Sequence, residues 1–398
     1  MGGEAQALEQ LAAIGRDAVE AGPSVRPTPA EAVLQLRGVA KRFGGRPAVD
    51  GVDLTIRRGE LFTLLGPSGC GKTTTLRMVA GLERPDAGEI VLRGKVVAAP
   101  AAGRFEPPER RNLGMVFQSY AIWPHMTVAE NVAYPLEVRG QPRAAIRQRV
   151  AEVLELVGLE GLEARPATQL SGGQQQRLAL CRALVYEPDL VLLDEPFSNL
   201  DARLREQMRV EVKLLQQRLN VTVLFVTHDQ LEALSLSDTI AVMNQGRVEQ
   251  VAAPRTLYET PASPFVRDFV GQNLLLGGQV RDVIGPNRAR VVIDGLSQQA
   301  VCTGRTAPGW TPAPGDAVKI AMRPEDVELL PDAVSGGEGV VPARTRAAVF
   351  LGDHYQLSVV LPNGAQLQLH APRTSTDWSP DQQVGVYLPS EGVTLWPA

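Results

Sequence analysis

The stretch Gly66-Pro67-Ser68-Gly69-Cys70-Gly71-Lys72-Thr73 decides the fold of this 398-residue chain. It follows the apolar run Leu61 to Leu65 and precedes a helical run from Thr74 to Ala80. This is the strand, loop and helix context of a phosphate-binding loop. The glycines let successive backbone N–H groups turn toward phosphate oxygens at the positive end of the helix. The stretch therefore predicts binding of ATP or GTP.

Two side chains at the end of this loop add specific chemistry. Lys72 is predicted to place a positive charge near the outer phosphates, and Thr73 to offer its hydroxyl to Mg²⁺. The alternative is a chance glycine-rich turn, which arises in roughly one chain of this length per hundred at an average glycine content of about 7%. The strand and helix around the loop favour the nucleotide site.

Further apolar runs predict the sheet that carries the loop. Residues 190–193, 221–226 and 239–243, like 61–65, show no polar alternation, as expected for strands covered on both faces. From Val33 to about Gly271 such runs alternate with helical patterns. This part of the chain therefore predicts an α/β domain with a largely parallel sheet.

Two carboxylates end one of these runs. Asp194 and Glu195 follow residues 190–193, so a parallel sheet would bring them to its carboxyl edge, near the phosphate loop. Asp194 suits the water shell of a metal ion, and Glu195 suits a general base that polarises an attacking water. An Asp-Glu pair by itself is more often a helix cap, so this interpretation depends on the neighbouring sequence.

The segment Leu170-Ser171-Gly172-Gly173-Gln174-Gln175-Gln176-Arg177 precedes Asp194 and leads into a helical run from Leu178 to Val185. Its order after the phosphate loop resembles the nucleotide-binding domain of ABC transporters, which carries an LSGGQ segment at this place. The resemblance implies a P-loop NTPase fold of the ABC type, with a helical subdomain at about residues 119–170. It also implies a head-to-tail pair of copies, in which Ser171 and Gly173 of one copy hold the ATP bound by Lys72 of the other.

The resemblance also assigns residues to the site. The nucleotide-binding residues that it implies are Phe43, Gly66, Pro67, Ser68, Gly69, Cys70, Gly71, Lys72, Thr73, Thr74, Gln118, Ser171, Gly172, Gly173, Gln174 and Asp201. The Mg²⁺ ligands that it implies are Thr73, Gln118 and Asp194, and the catalytic residues are Glu195, His228 and Lys72. By themselves, Phe43 is more often a core residue and His228 a satisfied loop histidine. Their order along the chain favours the functional interpretation.

Residues 120–126, which follow Gln118, read Tyr-Ala-Ile-Trp-Pro-His-Met. The resemblance implies that they begin the helical subdomain on which a membrane permease docks. Aromatic and methionine side chains are favoured at interface cores, so an exposed stretch of this kind is a plausible partner surface. The alternative is that these side chains form the buried core of the subdomain.

The three cysteines, Cys70, Cys181 and Cys302, are odd in number and widely spaced. They form neither a paired framework nor a zinc-ligand pattern, which favours a reducing cytoplasm. Cys70 lies at a helix N-terminus beside Lys72, and both features lower the pKa of a thiol. The sequence therefore predicts that Cys70 is reactive.

Length and composition indicate a globular protein of two domains. Hydrophobic residues make up 44% and charged residues 21%, and 398 residues exceed one ordinary domain. The formal net charge of −4 gives no electrostatic case for a nucleic-acid partner. The apolar runs are far shorter than the roughly 20 residues of a membrane-spanning helix, and the first residues do not resemble a secretory signal. With these features, the resemblance to ABC transporters implies a peripheral subunit at the cytoplasmic face of the inner membrane.

After Asn273, short strands separated by Pro and Gly turns predict a small β-barrel or sandwich. A set of positions recurs there at a constant offset of 66, which predicts a doubled β unit. Val318, Ile320, Met322, Glu325, Val327 and Leu329 match Val384, Val386, Leu388, Glu391, Val393 and Leu395. The expected domains are an N-terminal extension over 1–31, an ABC ATPase domain over 32–271 and an OB- or TOBE-like β domain over 272–398.

Residues 321–326, Ala-Met-Arg-Pro-Glu-Asp, resemble a motif in the extra C-terminal β domain of sugar, polyamine, phosphonate and ferric-iron import ATPases. Residues 165–177 resemble binding-protein-dependent importers. Together they imply an importer subunit that works with a permease and, indirectly, a periplasmic solute-binding protein. Residues 116–128 look most like the ferric-iron and phosphonate branch, and a polyamine or sugar importer is the alternative.

A soluble ABC ATPase that acts in DNA repair or on ribosomes is the distant alternative. Such relatives carry long coiled-coil or zinc-bearing insertions, or two ATPase units in one chain. This sequence shows one ATPase unit and neither kind of insertion. The transport interpretation is therefore favoured.

Overall fold

The structure is a computed structural model that describes residues 32–296, 300–330, 339–374 and 378–398. The extension predicted over residues 1–31 lies outside the described residues. Among the helices within these ranges, none has the length and apolar character that crossing a membrane requires.

The α-helices lie among the first eleven strands and directly after β11, and from β12 onward the strands follow one another without an α-helix. The strands are β1 Ala32–Phe43, β2 Arg46–Arg57, β3 Leu61–Leu65, β4 Ala87–Leu92, β5 Lys95–Ala99, β6 Arg104–Phe105, β7 Leu113–Val116, β8 Leu190–Asp194, β9 Val223–Thr227, β10 Thr239–Asn244, β11 Arg247–Ala252, β12 Leu274–Gly285, β13 Arg288–Ile293, β14 Val301–Thr306, β15 Ala317–Met322, β16 Glu328–Leu330, β17 Val340–Phe350, β18 His354–Val360, β19 Gln366–Pro372, β20 Gln383–Tyr387 and β21 Thr394–Pro397. The α-helices are α1 Lys72–Ala80, α2 Val128–Val138, α3 Arg143–Leu156, α4 Gly172–Leu184, α5 Ala202–Leu219, α6 Gln230–Leu236, α7 Pro254–Glu259 and α8 Pro264–Phe269.

The central sheet has the strand order β11-β10-β3-β9-β8-β7 and is parallel except for β11. Every residue of β3, β8 and β9 is buried, because helices or the second sheet cover both faces. The apolar strands predicted from the sequence are therefore confirmed. Since parallel strands end at the same edge, the phosphate loop after β3, Asp194 at the end of β8 and His228 after β9 lie along one edge.

A second sheet, with the order β2-β1-β4-β5-β6, is antiparallel. The prediction of one largely parallel sheet between residues 33 and 271 missed it. The 12-residue strands β1 and β2 alternate buried and exposed residues over much of their length, the pattern of a sheet with one covered face. Its buried side chains Leu36 and Val49 pack with Leu76 of α1 and Leu192 of β8 in one core. This sheet holds the β1–β2 hairpin beside the phosphate loop.

Two helices, α2 and α3, lie within the predicted helical subdomain and pack against α4, which begins inside the LSGGQ segment. Val132 of α2, Val153 of α3 and Leu178 of α4 share one apolar cluster. Thr127 caps α2 in a reciprocal pair with Glu130, which satisfies two free N–H groups at the helix start. The residues before this cap are mixed in exposure, since Tyr120 is buried while Pro124 and His125 are exposed. The partner surface stays a prediction.

The C-terminal strands form a closed barrel, β12-β13-β14-β21-β15, and a five-stranded sheet, β16-β20-β17-β18-β19. The sequence repeat explains how the two are joined. Strand β15 of the first unit pairs with β21 of the second, with Ile320 opposite Leu395, and β16 pairs with β20, with Leu329 opposite Val386. These two pairs are equivalent under the offset of 66, so each unit contributes one strand to each half of the domain.

Arg323 joins the barrel to the helices that end the ATPase part of the chain. Its Nη1 donates to the Gln272 carbonyl and its Nη2 to the Tyr258 carbonyl, each at 3.0 Å, and its guanidinium lies 4.1 Å from the centre of the Tyr258 ring. The Tyr258 hydroxyl donates to Glu325. We call these contacts among Arg323, Tyr258, Gln272 and Glu325 the joint. A Cβ on Gly271 would lie 2.5 Å from the Tyr258 ring, so there is no room for a side chain at Gly271.

Candidate functional site

The phosphate loop has the open backbone that its glycines predict. Gly71 has a φ of 107°, in the left-handed region, and a Cβ there would lie 2.4 Å from the Ala48 carbonyl oxygen of the β1–β2 hairpin. A Cβ on Gly66 would lie 2.4 Å from the Met243 carbonyl oxygen. Both positions therefore require glycine, one for its conformation and both for the close approach of neighbouring backbone.

Lys72 closes the loop on itself. Its Nζ donates to the carbonyls of Gly66 at 2.7 Å and Pro67 at 3.0 Å, and the residue is only 5% exposed. These carbonyls are the neutral partners of a buried ammonium group. A phosphate oxygen carries more negative charge and forms a stronger hydrogen bond with that group. The loop therefore holds the Lys72 ammonium group in a position where a phosphate oxygen can replace the two carbonyls as its hydrogen-bond partner.

The environment of Cys70 contradicts its predicted reactivity. The residue is buried, and burial raises the pKa of its thiol, while the Lys72 ammonium 3.8 Å from Sγ offsets only part of this. The sequence showed the helix terminus and the lysine, both of which favour the thiolate. It did not show that the side chain lies beneath the loop, where desolvation favours the neutral thiol.

Thr73 and Asp194 meet at the edge of the sheet. The Thr73 hydroxyl donates to Asp194 Oδ1 at 3.2 Å, and burial raises the pKa of the Asp194 carboxyl above its ordinary value. A hydroxyl and a carboxylate are the oxygen ligands that Mg²⁺ accepts. Nowhere in the described ranges do three or more His, Cys, Asp or Glu side chains cluster as a metal cage. The pair therefore fits a Mg²⁺ ion whose remaining ligands are phosphate and water oxygens.

Glu195 and His228 form the second polar pair at this edge. His228 Nδ1 lies 3.1 Å from Glu195 Oε2, and more than half of the imidazole is exposed to solvent. Glu195 has a φ of 45°, which is unusual for a residue with a side chain, and its carbonyl accepts hydrogen bonds from the N–H and hydroxyl of Ser198. Strain of this kind persists where the surroundings hold it, and it aims the carboxylate toward His228.

Glu232 supports the loop that carries His228, and the sequence analysis missed it. Its carboxyl is buried and accepts a hydrogen bond from the Thr227 hydroxyl at 2.6 Å; burial raises its pKa. The same hydroxyl accepts from the N–H of Asp229 at 3.0 Å, and Asp229 caps α6. An acid three residues after an Asp cap was the available sequence signal, since that spacing marks a helix start.

The LSGGQ residues lie at the start of α4. Ser171 caps the helix in a reciprocal pair with Gln174 and is exposed. Within the part of the chain that the structure describes, the N–H groups of Gly172 and Gly173 find no acceptor, and no hydrogen bond joins these residues to the phosphate loop. A single chain therefore does not bring the two motifs together. It presents a helix N-terminus with free donors, which favours an anion.

Three further predicted residues occupy different places around the site. Gln118 is exposed, and its carbonyl accepts a hydrogen bond from Asn199 Nδ2 at 2.8 Å. Phe43 is 50% exposed at the end of β1. Asp201 caps α5 by accepting from the Leu204 N–H at 3.0 Å, so its carboxylate already has a structural partner. The remaining predicted residues, Pro67, Ser68, Gly69 and Thr74, lie in the phosphate loop and the first turn of α1.

Comparison with known proteins identifies the family. The family described as ABC transporter matches residues 49–198, and the family described as TOBE domain matches residues 320–396. The spermidine/putrescine import ATP-binding protein PotA of Rubrobacter xylanophilus is 46% identical over 366 residues, which cover 92% of each chain. The Fe(3+) ions import ATP-binding protein FbpC 1 of Rhizobium meliloti is 45% identical over 359 residues, 90% of this chain and 96% of its own.

A solved structure supports the fold. CbiO1 of Clostridium perfringens, described as part of the ABC transporter complex CbiONQ, aligns with a TM-score of 0.53 and 28% identity, covering 60% of this chain and 93% of its own. The TOBE match at residues 320–396 covers β16 to β20 and parts of β15 and β21. The chain belongs to the ATP-binding subunits of ABC importers, the ATPases of these transport complexes, and carries a C-terminal TOBE domain.

Proposed function

We propose that this import ATPase energises uptake of a polyamine of the spermidine and putrescine class. The observation that carries the proposal is the recurrence of spermidine/putrescine subunits among its similar relatives, at 46% identity in Rubrobacter xylanophilus and 48% in Pseudomonas aeruginosa. The preference for ferric iron or phosphonate drawn from residues 116–128 has weaker support. Ferric iron stays the second candidate because the Rhizobium meliloti subunit is 45% identical.

Nucleotide binding in this proposal starts from the phosphate loop. Lys72 exchanges its two carbonyl partners for oxygens of the outer phosphates. The loop N–H groups and the start of α1 bind the remaining oxygens of the triphosphate. Phe43, exposed at the end of β1, stacks on the adenine ring. Residues 66–74 and Phe43 thus form the nucleotide-holding part of the half-site that one copy supplies.

Mg²⁺ is the proposed metal cofactor, and Thr73, Asp194 and Gln118 would hold it. When bound, the ion offsets the negative charge of the phosphate oxygens. The chain's own contribution is to keep the Thr73 hydroxyl against the buried Asp194 carboxyl, 3.2 Å apart.

Hydrolysis is assigned to Glu195 and His228. Glu195 orients a water molecule for in-line attack on the terminal phosphoryl group and accepts its proton. His228, 3.1 Å from that carboxylate, holds it in place and offers its exposed ring to the phosphate side. The buried Glu232 and the Thr227 hydroxyl keep the His228 loop in position.

The complete site is proposed to need two copies in head-to-tail contact. The free N–H groups of Gly172 and Gly173 and the hydroxyl of Ser171 suit the phosphates of ATP bound by the partner copy, because a helix N-terminus favours an anion. Gln174 fixes this helix start, and Asp201 orders the loop before α5. ATP hydrolysis then depends on association of the two copies. This couples hydrolysis to their movement toward and away from each other.

The domains, partners and cellular location of the subunit are also part of the proposal. Residues 32–271 form the ATPase domain and 272–398 the regulatory β domain, and the stretch after Gln118 faces the permease. The subunit works at the cytoplasmic face of the inner membrane, with a periplasmic solute-binding protein as an indirect partner and without nucleic acid. Exposed Pro124 and His125 beside the half-buried Trp123 support this docking site.

The experiment is uptake in a strain that lacks the gene. Complementation with the wild-type gene should restore uptake of radiolabelled spermidine, whereas Glu195→Gln should not, although it preserves size and nucleotide binding. Uptake of labelled ferric iron is measured in parallel. Restoration of iron uptake with no effect on spermidine would replace the polyamine proposal with the second candidate.

A further inference from the structure

The segment of residues 119–126, which follows Gln118, contains two successive residues in an unusual backbone conformation. Tyr120 has a φ of 60° and Ala121 a φ of 45°. Residues with side chains seldom adopt this left-handed region, and two in succession are rarer still. Such a turn persists only where neighbouring groups hold it, so its surroundings show what the segment is tied to.

Arg182 of α4 holds this turn. Its Nη2 donates to the Tyr120 carbonyl and its Nη1 to the Ala121 carbonyl, both at 2.6 Å. The same guanidinium lies 4.6 Å from the centre of the Trp123 ring. Arg182 is 8% exposed, so these contacts are made away from water, where charge-assisted hydrogen bonds are strong. One side chain thus connects three residues of the segment to the helix that begins with the LSGGQ motif.

Two asparagines also hold the segment, one at the residue that precedes it and one at Trp123. Asn199, in the loop after Glu195, donates from Nδ2 to the Gln118 carbonyl at 2.8 Å. Asn131, fully buried in α2, accepts from the Trp123 N–H at 2.9 Å and donates to the Trp123 carbonyl at 3.1 Å. The 119–126 segment therefore has polar ties to α4, to the loop after β8 and to α2. The Ala167 N–H also donates to the Met126 carbonyl at 3.2 Å, just before the LSGGQ segment, and Arg182 is the tie that runs to α4 itself.

We propose that Arg182 is a positioning residue that makes α4 and the 119–126 segment move as one body when ATP is bound. The inference rests on the proposed function, in which the start of α4 contacts the partner's ATP and the segment faces the permease. The planar fork of arginine matters here, because its two Nη groups reach two successive carbonyls while its face stacks on an indole. Lysine keeps the charge but offers no such fork.

The test is hydrogen exchange on the full chain carrying Glu195→Gln, with and without MgATP. In this parent, peptides covering residues 119–126 and 171–177 should both exchange more slowly when MgATP is added. Adding Arg182→Lys should leave the slowing at 171–177 intact. It should abolish the slowing at 119–126 and raise the basal exchange there by about tenfold, the effect of losing one charge-assisted hydrogen bond.

Arg149→Lys is the matched control, because Arg149 also donates to a backbone carbonyl in the helical subdomain, that of Val185 at 3.1 Å, and does not touch the segment. It should exchange like the parent at both peptides. Adding Ala121→Gly to Arg182→Lys relieves the left-handed strain, since glycine accepts a positive φ. Basal exchange at 119–126 should then return toward the parent, while the response to MgATP stays absent.

Different exchange results would overturn the role of Arg182 and the proposed two-copy site. Persistence of the MgATP response at 119–126 in Arg182→Lys, or its return in the double variant, overturns the inference, because the link to α4 would then be dispensable. Absence of slowing at 171–177 in the parent overturns the proposed function and the inference with it. If Arg182→Lys alone fails to fold, the double variant carries the same test, since glycine at 121 removes the strain of one of the two left-handed residues.

Discussion

Replacing Arg323 by methionine should loosen the C-terminal domain from the ATPase domain. Arg323 is 6% exposed and donates two hydrogen bonds of 3.0 Å, to the carbonyls of Gln272 and Tyr258. Methionine has a similar apolar length but no donor. The substitution therefore fills the space and leaves two carbonyls without their partner, which isolates the polar contribution of the joint.

The expected loss can be worked from these contacts. Each charge-assisted hydrogen bond contributes about 1.5 to 3 kcal/mol, and the stacking of the guanidinium on Tyr258 adds about 1 kcal/mol. Burial lowers the pKa of Arg323, which shows that the charged group is partly desolvated, and this cost offsets part of the gain. A net loss of about 3 kcal/mol in the free energy of unfolding is expected for the C-terminal domain.

Urea unfolding followed by tryptophan fluorescence measures this loss. Three of the four tryptophans, Trp310, Trp378 and Trp396, belong to the C-terminal part of the chain. Arg346→Met is the control, because Arg346 is an exposed arginine of the same domain. A shift below about 1 kcal/mol in Arg323→Met, or an equal shift in the control, would refute this account of Arg323, since exposed substitutions usually change stability by no more than about 0.5 kcal/mol.

The other predictions concern the nucleotide site and the joint. Lys72→Ala should weaken binding of a fluorescent ATP analogue by about tenfold or more, and unchanged affinity would contradict its role. Glu195→Gln should give an ATP-bound dimer in size-exclusion chromatography, and a monomer with MgATP would count against the sandwich. Ser171→Arg should bind ATP but not hydrolyse it, and normal turnover in a phosphate-release assay would contradict a role for Ser171 at the ATP of the partner copy. Native Cys70 should react slowly with iodoacetamide at neutral pH, because burial raises the pKa of its thiol, and fast labelling would show that the thiol is reactive after all. Burial and the bond to Glu325 raise the pKa of Tyr258 from 10.0 to about 12, so its stabilisation should be complete below pH 10 and lost toward pH 12; Tyr258→Phe should remove this pH dependence of the urea midpoint.

Local patterns in the sequence were sufficient for the central sheet and for most of the nucleotide site. The run 61–65 followed by the loop 66–73 is a contiguous unit, so its strand, turn and helix follow from neighbouring residues alone. The apolar runs before Asp194 and His228 predicted buried parallel strands, and topology then brings their ends to one edge. The order of the LSGGQ segment between these elements indicated the family before any geometry was known.

Contacts between distant residues lay beyond those patterns. The antiparallel sheet was missed because β1 pairs with β4, more than 40 residues away, and a pairing partner is not visible in either strand. Glu232 and Arg182 were missed for the same reason, since each acts through a group brought to it by folding. The polyamine preference came from comparison of whole chains, because an ATPase subunit does not carry the solute site in its nucleotide motifs.

The sequence by itself determined that this protein binds ATP in a P-loop ATPase fold and ends in a doubled β unit. Only the tertiary structure decided the states of individual groups. Cys70 carries the sequence signals of a reactive thiol, yet burial beneath the loop favours its neutral form. The repeat predicted two similar β units, and the structure showed that strands of one unit pair with strands of the other, β15 with β21 and β16 with β20. The physical reason is common to both, because solvation and strand pairing depend on what surrounds a residue in space, whereas periodicity and spacing depend on its neighbours in the chain.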